Sequence, residues 1–313
     1  MEFVCREGGP PRRFFCANKD TYREVWPCLF SRRVPAARLF LRWAARNGAA
    51  VHCALKLQLH HGRGCRLVAT RRIYPGRALV SLPLTLSLSA APHEQRKSFS
   101  CHWDSLETLT GVVVRELHNP RSFHRGYLEF LHDLYNTETA DVFTNRISLH
   151  EELERMYMGN SMQAQGILNG PFLSKESLVS PSQRVEWVRL RSLSRRMEQS
   201  LPHFASKSVP WGMSMVLSRA LCDDFGGLTL YPIIDFCLHS FEPNSVVRVM
   251  PAESGHGKGV GLRWHDTSVS CAHLVTQRDI SAGESVTVMY SPRRVLSSED
   301  AEYWKLRWGY VPN

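Results

Sequence analysis

The chain has 313 residues, is 43% hydrophobic, and carries a formal net charge of +10 from 39 basic and 29 acidic side chains. That suits one large domain or two modest ones with ample core, and no apolar run approaches the roughly 20 residues of a membrane span, so no membrane partner is expected. Nine cysteines with no C-x-x-C pair and fourteen histidines without ligand spacing argue against a disulfide scaffold or a zinc cluster. Reduced thiols in an intracellular protein, with no metal, are the expectation.

Residues 1–36 are rich in Gly, Pro and Arg without a sustained period and read as a basic N-terminal arm. The charge is uneven. Between Val25 and His93 there is no acidic residue and there are eleven basic ones, so the remainder sums to minus one. This stretch suits a polyanion, either RNA or an acidic protein, and is equally open to reading as a solvated basic face. Phe30 to Arg46 is Arg-rich and acid-free, as in an import signal, but Glu2, Glu7, Asp20 and Glu24 precede it. Cytoplasm, nucleus and mitochondrion all stay open.

Leu39 to Ala50 predicts a short helix stopped by Asn47-Gly48. Strands are expected over Val51–Leu59, Arg66–Arg72 and Ala78–Ser89, the last two separated by the turn Tyr74-Pro75-Gly76-Arg77. In the third, Leu82, Leu84, Leu86 and Leu88 alternate, the pattern of a strand with one buried face. The middle of the chain is helical. Arg121–Tyr135 carries Phe123, Tyr127, Phe130, Leu131 and Leu134 at helical spacing. Ser148 with Glu151 makes a capping box, and Gln183–Leu201 presents Trp187, Leu190, Leu193 and Met197 on one face. A further helix fits Gly212–Leu221. After Leu228 strands return, at Ser245–Met250, Gly259–Trp264, Ser268–Val275 and Ser285–Met289. Strands, then helices, then strands imply an α+β fold with a helical insertion in a β framework.

Four segments carry the chemistry. The first is Gly62-Arg63-Gly64-Cys65-Arg66-Leu67-Val68-Ala69 running on to Gly76. The second is Trp211 to Leu221, containing Val216 and Ser218-Arg219. The third is Leu228 to Asn244, where an apolar run ends at Pro232 and is followed by Asp235, Leu238, His239, Ser240 and Pro243-Asn244. The fourth is Ile280 to Tyr290, with Gly283-Glu284, followed by Trp308-Gly309-Tyr310-Val311. In order and spacing these segments resemble the signatures of SET-domain protein methyltransferases, in particular the Rubisco lysine methyltransferase and actin-histidine methyltransferase branch.

The resemblance implies a SET-type β framework of short strands with a knot-like C-terminal part. It divides the chain into the arm, residues 37–95 and 208–313 as the two parts of the SET domain, and 96–207 as a helical insertion. No substrate-binding domain of the Rubisco type follows. The implied cofactor is S-adenosylmethionine, contacted by Gly62, Arg63, Gly64, Arg219, Asp235, Leu238 and His239. Arg219 would take its carboxylate, since a guanidinium fork suits a carboxylate. Tyr290 corresponds to the family's catalytic tyrosine, and Trp308 and Tyr310 would wall the substrate channel.

The sequence also departs from the family pattern. The family's Asn is Leu238, the glycine counted back from Ile73 is Arg66, the glycine after the tyrosine is Ser291, and the second tyrosine is Trp308. Two readings therefore follow. One is a methyltransferase acting on a protein lysine, with histidine as the less favoured target. The other is a catalytically silent SET fold serving as a binding or assembly subunit, with a ribonucleoprotein complex as one setting.

Overall fold

The computed structural model describes residues 35–60, 64–90, 102–135, 181–204, 208–222, 227–250, 269–291, 293–297, 300–301, 303–304 and 311–312. The first element is helix α1 (Pro35–Arg46), which buries Ala37, Phe40, Leu41 and Ala44 along one side. It ends as its sequence predicts. Gly48, at φ 88°, donates its N–H to Ala45, and the Ala49 N–H returns to the Ala44 carbonyl. This paired closure satisfies carbonyls that a helix end otherwise leaves open, and the left-handed position favours glycine.

The main sheet has four antiparallel strands in the order β1 (Ala50–Val51), β4 (Ala78–Pro83), β10 (Cys271–Thr276), β9 (Ser245–Met250). Strands from the two ends of the chain thus meet at β4 and β10. A hairpin pairs β2 (Leu55–His60) with β3 (Gly64–Ala69). A third sheet orders β5 (Leu88–Ser89), β7 (Leu228–Leu230) and β6 (Leu221–Cys222). The last pairs β8 (Leu238–His239) with β11 (Thr287–Val288) in parallel. Between β5 and β6 the described residues form four helices: α2 (His102–His118), α3 (Arg125–Tyr135), α4 (Pro181–Ser200) and α5 (Ser208–Arg219).

Three expectations need correcting. Ala78–Ser89 is not one strand with one buried face. It breaks at a 3-10 turn over Leu84–Leu86, and β4 is buried on both faces because strands flank it and core covers it. Val51–Leu59 likewise divides into β1 and β2 around a turn where Leu55 donates to the His52 carbonyl. Third, helix α2 lies inside the expected helical insertion, at a place where the sequence pattern marks no helix. Its run Val112-Val113-Val114 is β-branched and favours strand locally, but Leu106, Leu109, Thr110, Val113 and Val114 are all buried against neighbouring helices and β7. Tertiary burial overrides the local preference. The expected capping box at Ser148 and strand at Gly259–Trp264 lie outside the described residues.

Close helix packing explains two glycines. A Cβ on Gly212 of α5 would sit 2.9 Å from Val114 Cγ2 of α2, and one on Gly126 of α3 would sit 3.2 Å from Trp43 Cβ of α1. An aromatic cluster then joins α1 and α3 to a second 3-10 turn, Ile234–Phe236. The Phe40 and Phe130 rings stack at 5.0 Å, and Phe236 lies 6.2 and 5.7 Å from them. Ser105 of α2, fully buried, accepts the Leu228 N–H at 2.7 Å and ties the helices to β7.

The run Glu284–Val288 passes between two strands from distant parts of the chain. On one side it meets β3, with the Val286 N–H donating to Leu67 and the Ala69 N–H to Glu284. On the other it meets β8, with the Leu238 N–H donating to Val286 and the Ser240 N–H to Val288. Asn244, with no exposed surface, locks this run in place. Its amide donates to Glu284 Oε1 (3.0 Å) and to the Ser285 carbonyl (2.9 Å). Its Oδ1 accepts from the Thr287 N–H (2.8 Å) and the Ser245 hydroxyl (3.1 Å), and its own N–H reaches Thr287 Oγ1 (2.9 Å). Every polar group of the side chain is satisfied. Asn244→Ala strands several buried partners at once, and each such group costs about 1–3 kcal/mol. The variant should lose about 2–4 kcal/mol of unfolding free energy in denaturant titration, whereas Ser240→Ala should lose little.

Candidate active site

The β7 strand leads into the segment Tyr231 to His239, around which the candidate residues gather. Ile233 stands at φ 74°, ψ −50°, the one non-glycine residue at positive φ among the described residues. A β-branched residue there is costly, on the order of 1–3 kcal/mol. The neighbourhood holds it: the Asp235 N–H donates to the Tyr231 carbonyl, the Phe236 N–H returns to Ile233, and the Ile233 side chain is buried. The result is a tight corner that drives Asp235 inward and Cys237 and His239 along β8.

Asp235 is wholly buried and accepts two hydrogen bonds at Oδ2, from the Tyr127 hydroxyl (2.9 Å) and from Arg219 Nη1 (3.2 Å). Arg219 Nη1 also reaches the Asp235 main-chain carbonyl at 3.2 Å. Arg219 is the last residue of α5, where a cation suits the helix end. Its guanidinium carbon lies 4.3 Å from the Tyr135 ring centroid and 5.0 Å from that of Phe236. Two atoms of the pair are buried without a partner among the described residues, Arg219 Nε and Asp235 Oδ1. Burial pushes the Asp235 carboxyl up and Arg219 opposes it. The Tyr127 phenol is raised well above its ordinary range, by burial first and Asp235 second. Strand β3 packs against this corner. Burial pushes the Cys65 thiol up to about 12 and raises Cys237 as well, so both are unreactive thiols.

On the other side of the corner stand His239 and Tyr290. His239 Nδ1 accepts the Tyr290 N–H at 3.1 Å, which fixes the proton on Nε2. Nε2 is buried and unpartnered among the described residues. The ring lies 4.4 Å from Trp304, 4.6 Å from Phe241 and 5.4 Å from Tyr290, centroid to centroid. Burial lowers its pKa to about 4, so the imidazole is neutral near pH 7. The Tyr290 hydroxyl donates to the Cys237 carbonyl. Leu238 gives its backbone to the pairing with β11, and its side chain stays 39% exposed.

The structure thus brings Arg219, Asp235, Leu238, His239 and Tyr290 around one corner, and Gly64 is the first residue of β3, the strand that packs against it. Gly62, Arg63, Trp308 and Tyr310 lie outside the described residues. Sequence reasoning had placed Tyr127 and Tyr135 only on a core-facing helix, and it missed Cys237 and Trp304. No local signal marks the two tyrosines, because their partners are about a hundred residues away. Within the basic stretch the described arginines have varied surroundings. Arg72 pairs with Asp279, Arg66 reaches Gln58, and Arg71 reaches Cys53, while Arg38, Arg42 and Arg46 are exposed along α1. Among the described residues no helix is long and apolar enough to cross a membrane, and no cluster could hold a metal ion.

The SET domain family model matches residues 64–291, well over half of the chain. Among solved structures, the SET domain of LSMT bound to lysine and AdoHcy superposes with a TM-score of 0.55 at 15% identity, covering 90% of this chain and 58% of that one. Rubisco LSMT bound to sinefungin and monomethyllysine gives 0.52 at 14%, covering 89% and 57%. The LSMT domain bound to MeLysine and AdoHcy gives 0.51 at 16%, covering 90% and 58%. At these identities the likeness is one of fold, and the chain spans under three fifths of each of those proteins. No curated protein matches it in sequence.

Two outcomes test this arrangement. Asp235→Ala leaves Arg219 buried without its counter-charge, which should cost about 3–5 kcal/mol; a loss under about 1 kcal/mol in denaturant titration would show the pair to be solvated. The second is a pH dependence. His239 and His52 both fall from 6.5 to about 4, burial being the chief cause in each and Arg71 and Arg77 adding to it at His52. The unfolded chain therefore takes up these protons first. Stability is full above pH 6.5 and drains as pH falls toward 4. His239→Gln should flatten that slope in unfolding free energy measured against pH.

Proposed function

The chain belongs to the SET-domain family, and from that premise we propose that it is an S-adenosylmethionine-dependent protein methyltransferase whose target is a lysine side chain. The observation that carries the reading is the state of Arg219. One edge of its guanidinium is held by Asp235, and its Nε–H is buried with no acceptor among the described residues. A buried donor of this kind needs an acceptor, and the cofactor's carboxylate is the acceptor a guanidinium fits best. The donor set therefore fits the cofactor at its amino-acid end.

On the nucleoside side, Leu238 offers apolar surface and no amide. Hydrogen bonds there fall to the backbone beside His239. Gly64, the first residue of β3, has no side chain to hinder close approach of a ligand to the main chain. When bound, S-adenosylmethionine supplies a methyl group on a cationic sulfur.

The chain's own residues bind, align and desolvate. A lysine in water is neutral in only about one molecule in a few thousand at pH 7, and entry into an apolar, aromatic channel lowers its pKa. Tyr290 stands beside the His239 ring, which in turn packs on Trp304. Because its hydroxyl donates to the Cys237 carbonyl, the phenol oxygen is fixed in direction. Its remaining lone pair can accept a hydrogen bond from the incoming amine, which is catalysis by positioning. The thiols of Cys65 and Cys237 and the buried carboxyl of Asp235 are out of reach of a substrate proton. Deprotonation of the lysine through solvent before transfer suits this arrangement. The LSMT structures that share the fold hold lysine or its methylated forms with AdoHcy or sinefungin, which supports lysine over histidine.

Calorimetric titration with S-adenosylmethionine and S-adenosylhomocysteine tests the reading directly. Micromolar binding of both is expected. No binding at millimolar ligand by the folded chain would leave the SET fold as a scaffold, and the exposed arginines of α1 as the surface to probe with RNA and acidic proteins. Tyr290→Phe should then reduce turnover about a hundredfold, as expected for loss of alignment, with cofactor affinity within about twofold of the parent; unchanged turnover would remove Tyr290 from the chemistry.

A further inference from the structure

We propose that helix α3 of the insertion governs how the site grips the cofactor's carboxylate, with Tyr135 and Tyr127 as positioning residues for Arg219. The proposal rests on the reading of Arg219 as the carboxylate ligand and adds what makes that arginine competent.

An arginine side chain has several rotatable bonds, and ordering one is entropically costly; what counts is where its donors point once it is ordered. Three residues touch the Arg219 guanidinium, Asp235, Tyr135 and Phe236, and α3 supplies Tyr135 directly and Tyr127 through Asp235. Tyr135 lays its ring 4.3 Å from the guanidinium carbon, close enough for a cation–π attraction and for a steric wall against one face. Tyr127, two helical turns earlier on the same side, donates its hydroxyl to Asp235 Oδ2 at 2.9 Å, the same oxygen that receives Arg219 Nη1. Tyr127 is wholly buried in the aromatic cluster with Phe40 and Phe130, so it cannot turn away. The third contact is Phe236, on the corner itself.

Nη1 is thereby committed to Asp235, and Nε, buried and without a partner among the described residues, is the donor presented elsewhere. A guanidinium gripped at one edge and stacked on a ring has a single edge left for a planar anion. Helix α3 sits on α1 through Gly126 and the Phe40–Phe130 stack. A shift of this helix pair would thus be felt at the carboxylate end of the pocket.

The test uses the full chain and two ligands: S-adenosylhomocysteine, which carries the carboxylate, and 5′-methylthioadenosine, which lacks the whole amino-acid end. Tyr135 is only half-buried, so its substitution should leave the fold intact, as a thermal melt would check. Tyr135→Leu should weaken S-adenosylhomocysteine about three- to tenfold, the range of a partly desolvated cation–π contact, and leave 5′-methylthioadenosine unchanged. Tyr135→Phe, which keeps the ring, should restore the parent affinity within about twofold. Tyr127→Phe should act in the same direction through Asp235. Equal losses for both ligands, or no loss for either, would overturn the positioning role while leaving the function standing. Failure of the parent chain to bind S-adenosylhomocysteine at all would overturn the function and this proposal together.

Discussion

The structure depends on one constraint: a run near the end of the chain has to lie between β3 and β8, two strands that come from opposite ends of the sequence. Backbone pairing alone gives this run only a few hydrogen bonds on each side. Asn244 converts those pairings into a single defined register. It is an amide in a dry place with every donor and acceptor used. A polar group of that kind is expensive to bury wrongly and inexpensive to bury correctly, so it selects one arrangement over its neighbours. Glu284 joins the same node. Although burial works the other way, hydrogen bonds from Ser281, Asn244 and Arg278 hold its carboxyl below the ordinary range. With this run fixed, Tyr290 follows at a set distance from His239 and Cys237.

The corner at Ile233 is the second layer. Its unfavourable backbone geometry persists because β7, the aromatic cluster and the Arg219–Asp235 pair over-determine it. The helices contribute more than cover. Without Phe40 and Phe130 behind Phe236, and without Tyr127 on Asp235, the corner would have no reason to keep a β-branched residue at positive φ. Strain, ion pair and aromatic stacking are therefore one unit, and a change in any member should be read in the others.

Much of this was legible in the sequence where the cause is local. The stop of α1 at Asn47-Gly48 is a property of four adjacent residues. The strands β9 and β10 show as apolar runs bounded by turn residues, and Arg219, Asp235, His239 and Tyr290 sit in segments whose order already resembled a family. What failed has a non-local cause. Ala78–Ser89 reads as an amphipathic strand because alternation cannot report that β4 is buried on both faces or that the chain turns at Leu84–Leu86. The β-branched run in α2 reads against helix because its packing against α5 depends on Gly212, about a hundred residues later. Tyr127 and Tyr135 look like any two core residues on one side of a helix, and only the structure shows that one ends on a carboxylate and the other on a guanidinium.

The threading of the late run has a consequence for how the molecule comes into being. Its partners are far away along the chain: Asn244 and Thr287 are 43 positions apart, and Thr276 bonds to Tyr74 across 202. Contacts of such separation form slowly, because loop closure must precede any reward. A chain emerging from the ribosome can assemble α1, the hairpin β2–β3 and the helices early, but β3 and β8 must wait with open edges for the run that joins them. The pocket is therefore the last part of the molecule to exist, and an incompletely synthesised chain would expose unpaired strand edges, which are prone to aggregation, before it could hold any ligand.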